Sequence, residues 1–315
     1  FSKACAADKV AGFHFVQGDI PAAAGICCIG AAGRKTAAGS RVHRACQFAA
    51  HDLGRELFGL QAGDGHSIQQ TLGIGVERIL EQILGLGISL PGIVDPVQKM
   101  ITYSHALGVR DLLFSEIQSY FPWHCTFLND ANAGAFAEGI GSDLPSSFFY
   151  LSLSNTVGGA IFHDGNLLPG DAFRCGEAGH MTLIPDGKPC YCGKTGCVDA
   201  YCSARLLSDL SGGRLEDFFL GLQQNNPDYR SVWDTYLKHL AVVINNLHML
   251  LDYDIVLGGY VGSFLTPWLD TIRRLVAEHN TFEDDGSFVK LCTYQTGAAA
   301  YGAAMDVMEE FLRTV

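Results

Sequence analysis

The chain has 315 residues, 48% of them hydrophobic and 17% charged, so it is long and apolar enough to bury one large core or two lobes. Its formal net charge of −12 argues against a nucleic-acid-binding surface, because phosphate contacts come from clustered lysine and arginine side chains. No apolar run approaches the roughly 20 residues that span a bilayer, and the first residues lack the layout of a signal peptide. These patterns predict a cytoplasmic protein without a membrane segment.

Strands and helices alternate along the first part of the sequence, which predicts an α/β fold. FHFVQGDI (13–20) and GICCIG (25–30) predict paired strands, residues 67–84 have helical spacing, and GLGISL predicts a strand ending in a turn, PGIVD. CTFLND predicts the next strand, and ANAGAFAEGIG a helix that opens at Asn129 or Asp130. Asp130 is therefore expected at a strand-to-helix junction, where a carboxylate can also serve simply as a helix cap.

The second part of the sequence predicts another set of strands followed by helices. FFYLSLS and GGAIFHDGNLL predict two strands, the second turning at Asp164-Gly165, a dipeptide typical of hairpins. Residues 236–252 predict a helix leading into the strand DIVLGG, and Pro267 is expected to open another helix. We therefore divide the chain into residues 1–11, a remnant or linker, residues 12–131, an N-terminal α/β lobe, residues 132–297, a C-terminal α/β lobe, and residues 298–315, a closing helix.

Three cysteines crowd into the stretch PCYCGKTGC, whereas the remaining cysteines are scattered, as expected for thiols in a reducing compartment. Cys190 and Cys192 are one residue too close for a redox Cys-x-x-Cys pair. The preceding GEAGH supplies His180, so His180, Cys190, Cys192 and Cys197 are predicted to bind one zinc ion. With all four ligands from the protein, the ion would be structural. The alternative is three buried thiols beside a packed histidine.

Two carboxylates flank this cluster. A structural ion would fix which ring nitrogen of His180 remains available to a ligand, and Glu177 and Asp199 can accept hydrogen bonds from hydroxyl groups. Taken alone, each is more often an ordinary surface acid.

The motif GEAGH followed by CYCGKTGCVDAY resembles the signature of the ROK family, which groups sugar kinases, sugar-responsive repressors and uncharacterised reading frames. Other stretches resemble the family's sugar-side turn (GISLPGIVD), catalytic segment (LNDANAGAFAE), second phosphate loop (NTVGGAIFHDGNLLPG) and nucleotide-side strand end (IVLGGYVG). The resemblance covers most of residues 12–305. It implies a two-lobed actin-like, hexokinase-like (ribonuclease H-like) fold with a sugar in the cleft between the lobes.

The resemblance also implies roles for individual residues. Asp199 stands where the family usually has glutamate, and in a kinase Asp130 would be the general base for the sugar hydroxyl that attacks Mg-ATP. The implied sugar-binding residues are Gly92, Asn129, Asp130, Glu177, His180 and Asp199. The implied nucleotide-binding residues are Asp19, Thr156, Gly158, Gly159, Gly258 and Gly259.

Two departures from the family's kinases weaken the phosphate site. Residues 21–23 are Pro-Ala-Ala where the kinases have a Gly-Gly-Thr turn, so an amide donor is lost and Cβ atoms are added where bare backbone approaches ATP. Residues 154–156 are Ser-Asn-Thr where the second loop usually begins Gly-Thr-Gly. We therefore predict the sugar-binding sensor domain of a ROK-family transcriptional regulator with a degenerate ATP site. The alternative is an ATP-dependent kinase of a hexose or N-acetylhexosamine.

The expected partners follow from this interpretation. A small-molecule sugar is the ligand, structural zinc is the cofactor, and Mg-ATP is bound only if the chain is a kinase. DNA would be contacted only through a helix-turn-helix segment, which we expect before Phe1 because residues 1–11 are too few to hold it. The resemblance suggests a homodimer or higher oligomer.

Overall fold

The structure is a computed structural model that describes residues 85–121 and 123–314. The strands predicted at 13–20 and 25–30, the helix predicted at 67–84, and the nucleotide-side residues Asp19 and 21–23 lie outside the described residues. The chain divides into two compact units, one comprising Phe1–Ala133 with Ala299–Val315 and the other Gly134–Ala298.

The described residues form ten strands and nine α-helices. The strands are β1 (Leu86–Leu90), β2 (Ile93–Asp95), β3 (Met100–Ser104), β4 (Val109–Leu113), β5 (Cys125–Asn129), β6 (Phe148–Leu153), β7 (Val157–His163), β8 (Asn166–Leu167), β9 (Asp254–Gly258) and β10 (Val289–Leu291). The helices are α1 (Phe114–Gln118), α2 (Asp130–Gly141), α3 (Asp199–Cys202), α4 (Ala204–Ser208), α5 (Leu215–Gln223), α6 (Pro227–Leu251), α7 (Gly259–Gly262), α8 (Leu269–Ala277) and α9 (Ala298–Thr314).

The described part of the first unit contains two small sheets. β1 pairs in parallel with β5, and β2, β3 and β4 form an antiparallel meander. All five residues of β1 are buried, as expected for a strand covered on both faces. Small residues allow α9 to pack closely against β1. A Cβ added at Gly87 would collide with the carbonyl group of Ala303. The backbone of α9 therefore lies directly against β1.

The second unit is built on a five-stranded sheet with the order β10-β9-β6-β7-β8. β10, β9 and β6 run parallel, and β7 and β8 add to them in antiparallel hairpins. The predicted turn at Asp164-Gly165 is confirmed, with φ angles of 47° and 80° that match the left-handed geometry of a two-residue hairpin loop. A core centred on the fully buried Trp233 and on Tyr236 lies between this sheet and its helices.

Several elements differ from the sequence-based expectations. The predicted turn PGIVD contains the short strand β2. The predictions did not include the strands β3, β4 and β10 or the helices α1, α3, α4, α5 and α7. The helix predicted from residue 236 begins at Pro227, because the Asn226 side chain accepts hydrogen bonds from the amides of Asp228 and Tyr229 and caps it. α6 is thus 25 residues long, yet neither it nor any other helix in the described ranges combines the length and apolarity needed to cross a bilayer.

Candidate functional site

The segment GEAGH packs directly against the first residues of β7. Gly176 has a φ of +89°, and a Cβ there would lie 2.5 Å from the carbonyl oxygen of Gly159. A Cβ at Gly179 would likewise collide with the carbonyl oxygen of Val157. Glycine at both positions therefore lets the 3₁₀ turn Ala178–His180 touch the strand, which places the side chain of His180 beside it.

The loop after His180, residues 182–197, folds back on itself and places three cysteines close to His180. Isolated bridges join Thr182 to Cys197 and Pro189 to Thr195, and the amide of Gly193 donates to the carbonyl of Cys190 at 3.0 Å. The loop thereby brings together four candidate ligand atoms, all within 4.8 Å of one another, from His180, Cys190, Cys192 and Cys197.

The geometry of this Cys/His cluster suits a tetrahedral metal ion. The Sγ atoms of Cys192 and Cys197 lie 3.8 Å apart, and neither cysteine forms a disulfide. Tetrahedral zinc, with Zn–S distances of about 2.3 Å, separates two sulfur ligands by roughly 3.8 Å, whereas a disulfide needs about 2.0 Å. Burial raises the pKa of the Cys190 thiol to about 12, and a bound cation would oppose that rise. The residues present therefore fit zinc.

His180 presents its two ring nitrogens to different surroundings. Nδ1 is closed off from solvent, whereas Nε2 lies 3.3 Å from the hydroxyl oxygen of Tyr191, whose ring meets the imidazole edge-on. Tyr191 stands between two of the candidate ligands, Cys190 and Cys192, and 44% of its surface is exposed. Sequence reasoning did not single out Tyr191, although its position between the cysteines was a usable signal.

Asp199 opens α3 and is anchored to β7. Its Oδ1 accepts a hydrogen bond of 2.6 Å from the amide of Val157, and only 6% of the residue is exposed. Burial raises the pKa of Asp199, and the hydrogen bond from Val157 and the nearby His180 partly offset that rise. Burial also raises the pKa of Glu177. Because Oδ1 already accepts from the protein backbone, the other oxygen of Asp199 has the greater remaining capacity to accept from a hydroxyl ligand.

The implied sugar-binding residues of the first unit are joined by a hydrogen bond. The side-chain nitrogen of Asn129 donates to the carbonyl of Gly92 at 3.0 Å, and its oxygen accepts from the amides of Ala131 and Asn132. Asn129 thus acts as the N-cap of α2. Gly92 has a φ of +125°, and a Cβ there would lie 2.5 Å from the carbonyl of Tyr103. The Oδ1 atom of Asp130 also accepts from the amide of Ala131, at 3.0 Å, so Asn129 and Asp130 share an amide in the first turn of α2.

In the second unit, the nucleotide-binding residues that the resemblance implies lie at the start of β7 and at the junction of β9 and α7. Thr156 precedes β7, Gly258 ends β9 and Gly259 begins α7. A Cβ at Gly259 would lie 2.6 Å from the Ser154 hydroxyl, which is buried. Gly158 and Gly159 lie within β7, and a Cβ at Gly159 would approach Gly176 and the ring of Phe149. Packing therefore accounts for glycine at position 159 without any bound nucleotide.

Comparisons with known proteins agree with these motifs. The model of the ROK family matches residues 66–310, more than half of the chain. A glucokinase of Halalkalibacterium halodurans is 27% identical over 269 residues, covering 75% of this chain and 79% of the glucokinase. A xylose repressor of Bacillus subtilis is 33% identical over 194 residues, covering 61% of this chain and 46% of the repressor. Kinases and repressors are thus both relatives, and the chain spans less than half of this repressor.

The fold is similar to that of solved sugar kinases. A ROK family glucokinase from Streptomyces griseus, crystallised with glucose and AMPPNP, superposes with a TM-score of 0.63 at 20% identity, covering 84% of this chain and 88% of the glucokinase. At this identity the likeness establishes the fold alone. It confirms the predicted α/β class and its similarity to the hexokinase-like proteins.

Proposed function

The chain belongs to the ROK family, and on that premise we propose that it is the sugar-binding sensor domain of a transcriptional regulator, with a degenerate ATP site. The observation that carries the proposal is the arrangement of Glu177, His180 and Asp199 beside β7, where both carboxylates have raised pKa values because they are buried. Carboxylates accept hydrogen bonds from hydroxyl groups, and an imidazole N–H can donate a hydrogen bond to a hydroxyl oxygen. A sugar presents several hydroxyls of this kind.

The Cys/His cluster supports this role through His180. We assign it one structural zinc ion held by His180, Cys190, Cys192 and Cys197. When bound, zinc supplies a fixed cross-link and sets the imidazole tautomer, with no coordination position left for an activated water. Ligation through the enclosed Nδ1 would leave a proton on Nε2, so His180 would donate a hydrogen bond from that atom.

In the first unit, Asn129, Asp130 and Gly92 are the proposed sugar-binding residues. The hydrogen bond between Asn129 and Gly92 holds the turn before β2 against the end of β5. Asn129 caps α2, and the carboxylate of Asp130, which also accepts from the amide of Ala131, can accept a further hydrogen bond from a sugar hydroxyl.

The sensor interpretation depends on weakened binding of the ATP phosphates. Binding of phosphates by backbone amides requires a close, bare approach of the chain. In the second unit Ser154, whose hydroxyl lies 2.6 Å from where a Cβ at Gly259 would be, stands where the family's kinases usually have glycine. Residues 21–23 are Pro-Ala-Ala in the first loop. Phosphoryl transfer depends largely on positioning and charge stabilisation, so losses in both loops should remove most of the activity.

An ATP-dependent sugar kinase is the second candidate function. The observation in its favour is the similarity to a glucokinase along 79% of that protein's length. In that case Asp130 would act as the general base for the attacking sugar hydroxyl, with Mg-ATP as the second substrate.

Release of ADP separates the two functions. The purified chain is incubated with Mg-ATP and a panel of hexoses, pentoses and N-acetylhexosamines, with Asp130→Asn as the blank. We expect no ADP above the blank, together with a rise in melting temperature for at least one sugar. Turnover that disappears in Asp130→Asn would make the chain a kinase. An unchanged melting temperature with every sugar would refute sugar binding.

The cytoplasmic location stays a prediction from the sequence pattern. The oligomeric state and a helix-turn-helix segment for DNA binding stay predictions of the resemblance.

A further inference from the structure

The side chain of Tyr191 lies against the ring nitrogen of His180 that would face a ligand. Its hydroxyl oxygen is 3.3 Å from Nε2, and the two ring centroids are 5.4 Å apart in an edge-on arrangement. His180 thus has a phenol at the position where a sugar hydroxyl would otherwise bond. Any sugar that binds His180 must share this space with Tyr191 or displace it.

The loop backbone holds Tyr191 at this place. Cys190 and Cys192, its chain neighbours, both belong to the Cys/His cluster. The carbonyl of Cys190 accepts from Gly193, and the amide of Cys190 donates to Lys194 at 2.8 Å, so Tyr191 sits inside a closed turn. Tyr191 can therefore move by rotating its side chain, but its Cα stays beside His180.

The chemistry of the phenol matches that of a sugar hydroxyl. The ordinary pKa of a tyrosine hydroxyl is about 10, so the group is neutral at physiological pH. A neutral phenol both donates and accepts hydrogen bonds. It can accept from Nε2 of His180, so Tyr191 can stand in for one hydroxyl of the ligand.

We propose that Tyr191 is a specificity-determining residue whose ring narrows the space at His180, admitting sugars with a plain hydroxyl there and excluding those with a bulky N-acetyl group. The inference rests on the proposed sugar binding and adds the class of sugar. A sugar hydroxyl that bonds Nε2 of His180 replaces the phenol oxygen there, so the ring must turn aside for either kind of sugar. An N-acetyl group is several atoms larger than a hydroxyl, so the ring would have to turn much further from the imidazole to admit it.

Two variants separate the volume of Tyr191 from its hydroxyl group. Tyr191→Ala removes the ring, and Tyr191→Phe keeps the ring but removes the hydroxyl. Calorimetry would measure the Kd of each protein for matched pairs of sugars, glucose with N-acetylglucosamine and mannose with N-acetylmannosamine. Zinc analysis of each preparation verifies that the neighbouring cysteines still hold the ion.

We expect the wild type to bind one plain hexose at least about tenfold more tightly than its N-acetyl partner. Tyr191→Ala should reduce that ratio about tenfold or more, and Tyr191→Phe should retain it. An unchanged ratio in Tyr191→Ala, or a wild type that prefers the N-acetylated sugar, would overturn the proposal while leaving sugar binding intact. Absence of binding by all three proteins would overturn the proposed function and this inference with it.

Discussion

Asp199 illustrates how one side chain joins segments that are distant in the sequence. The resemblance places a glutamate at this position in the family, and here the shorter carboxylate receives the amide of Val157 at 2.6 Å. Val157 directly follows residues 154–156, the proposed remnant of the phosphate loop. A ligand that moves Asp199 would therefore also move the start of β7.

The change Asp199→Asn tests the contribution of this carboxylate. We expect sugar affinity to fall about 10- to 100-fold, because hydrogen bonds to a charged group contribute about 1.5–3 kcal/mol. The fold should persist, since the asparagine oxygen can still accept from Val157. Calorimetry with the sugar found in the panel measures the loss, and Asp209→Asn, at an exposed carboxylate, is the control. Equal affinities in both variants would remove Asp199 from the site.

Asp306 on α9, which lies outside the proposed site, should make the stability of the protein depend on pH. Burial raises its pKa above the ordinary value of 3.8, a hydrogen bond with Thr126 partly offsets the rise, and the nearby Glu310 and Glu309 add to it. The folded state therefore holds this proton more tightly than the unfolded state. The resulting stabilisation is present below the ordinary pKa and is lost as the pH rises through the higher folded-state pKa.

The matching prediction concerns Asp306→Asn, which cannot ionise. At neutral pH we expect a melting temperature about 1–2 °C above that of the wild type, because the variant avoids a buried negative charge. The difference should shrink as the pH is lowered toward about 4. Thermal unfolding of both proteins across this range measures it. A difference that grew toward acid pH would contradict the assigned direction.

Among the elements, the cysteine loop is the one to which we assign a cofactor. Residues 182–197 contain two isolated bridges and turns at Gly193 and Gly196, but no α-helix and none of the ten strands. The core of the second unit is instead built on its sheet and its helices. Zinc ligation should therefore order this loop and hold His180 with it.

Loss of the metal tests this element directly. Cys192→Ser should lose its zinc, lower the melting temperature by roughly 3 °C or more, and weaken sugar binding at least about tenfold. Cys175→Ser is the matched control, since Cys175 precedes GEAGH but lies outside the cluster. Zinc content, melting temperature and Kd are measured on both. Full sugar affinity in zinc-free protein would contradict the role assigned to the cluster.

On the scale of the whole molecule, each unit carries its own core and its own share of the implied sugar-binding residues. The first unit holds Gly92, Asn129 and Asp130, and the second holds Glu177, His180 and Asp199. Each set is ordered by contacts inside its unit, namely the Asn129–Gly92 bond and the Asp199–Val157 bond. Substitutions in either set should therefore weaken ligand binding without unfolding the other unit.

Much of this architecture could be predicted from local patterns. The strand ending at Asn129, the hairpin at Asp164-Gly165 and the closing helix from residue 298 follow from alternation, turn residues and small-residue spacing. The ligand cluster follows from the spacing of histidine and cysteine.

Other features have no local signal. The strand β2 has only three residues, too few for a periodic pattern. The bond between Asp199 and Val157 joins positions 42 residues apart and uses a backbone amide, which every residue except proline possesses. In the sequence, Glu138 is a polar residue in a largely apolar helix. In the structure it is fully buried, and its carboxylate accepts hydrogen bonds from the thiol of Cys292 and the amide of Tyr294, more than 150 residues away. Only the folded chain brings these partners together.

The most direct test of the central claim is equilibrium binding of the sugar panel, measured by calorimetry on zinc-loaded wild type, Asp130→Asn and Glu177→Gln. We predict that at least one sugar binds the wild type with one site per chain, and that each variant weakens binding about tenfold or more while keeping its zinc. If no sugar in the panel binds zinc-loaded wild type, or if both variants bind as the wild type does, the chain is not the sugar sensor proposed here.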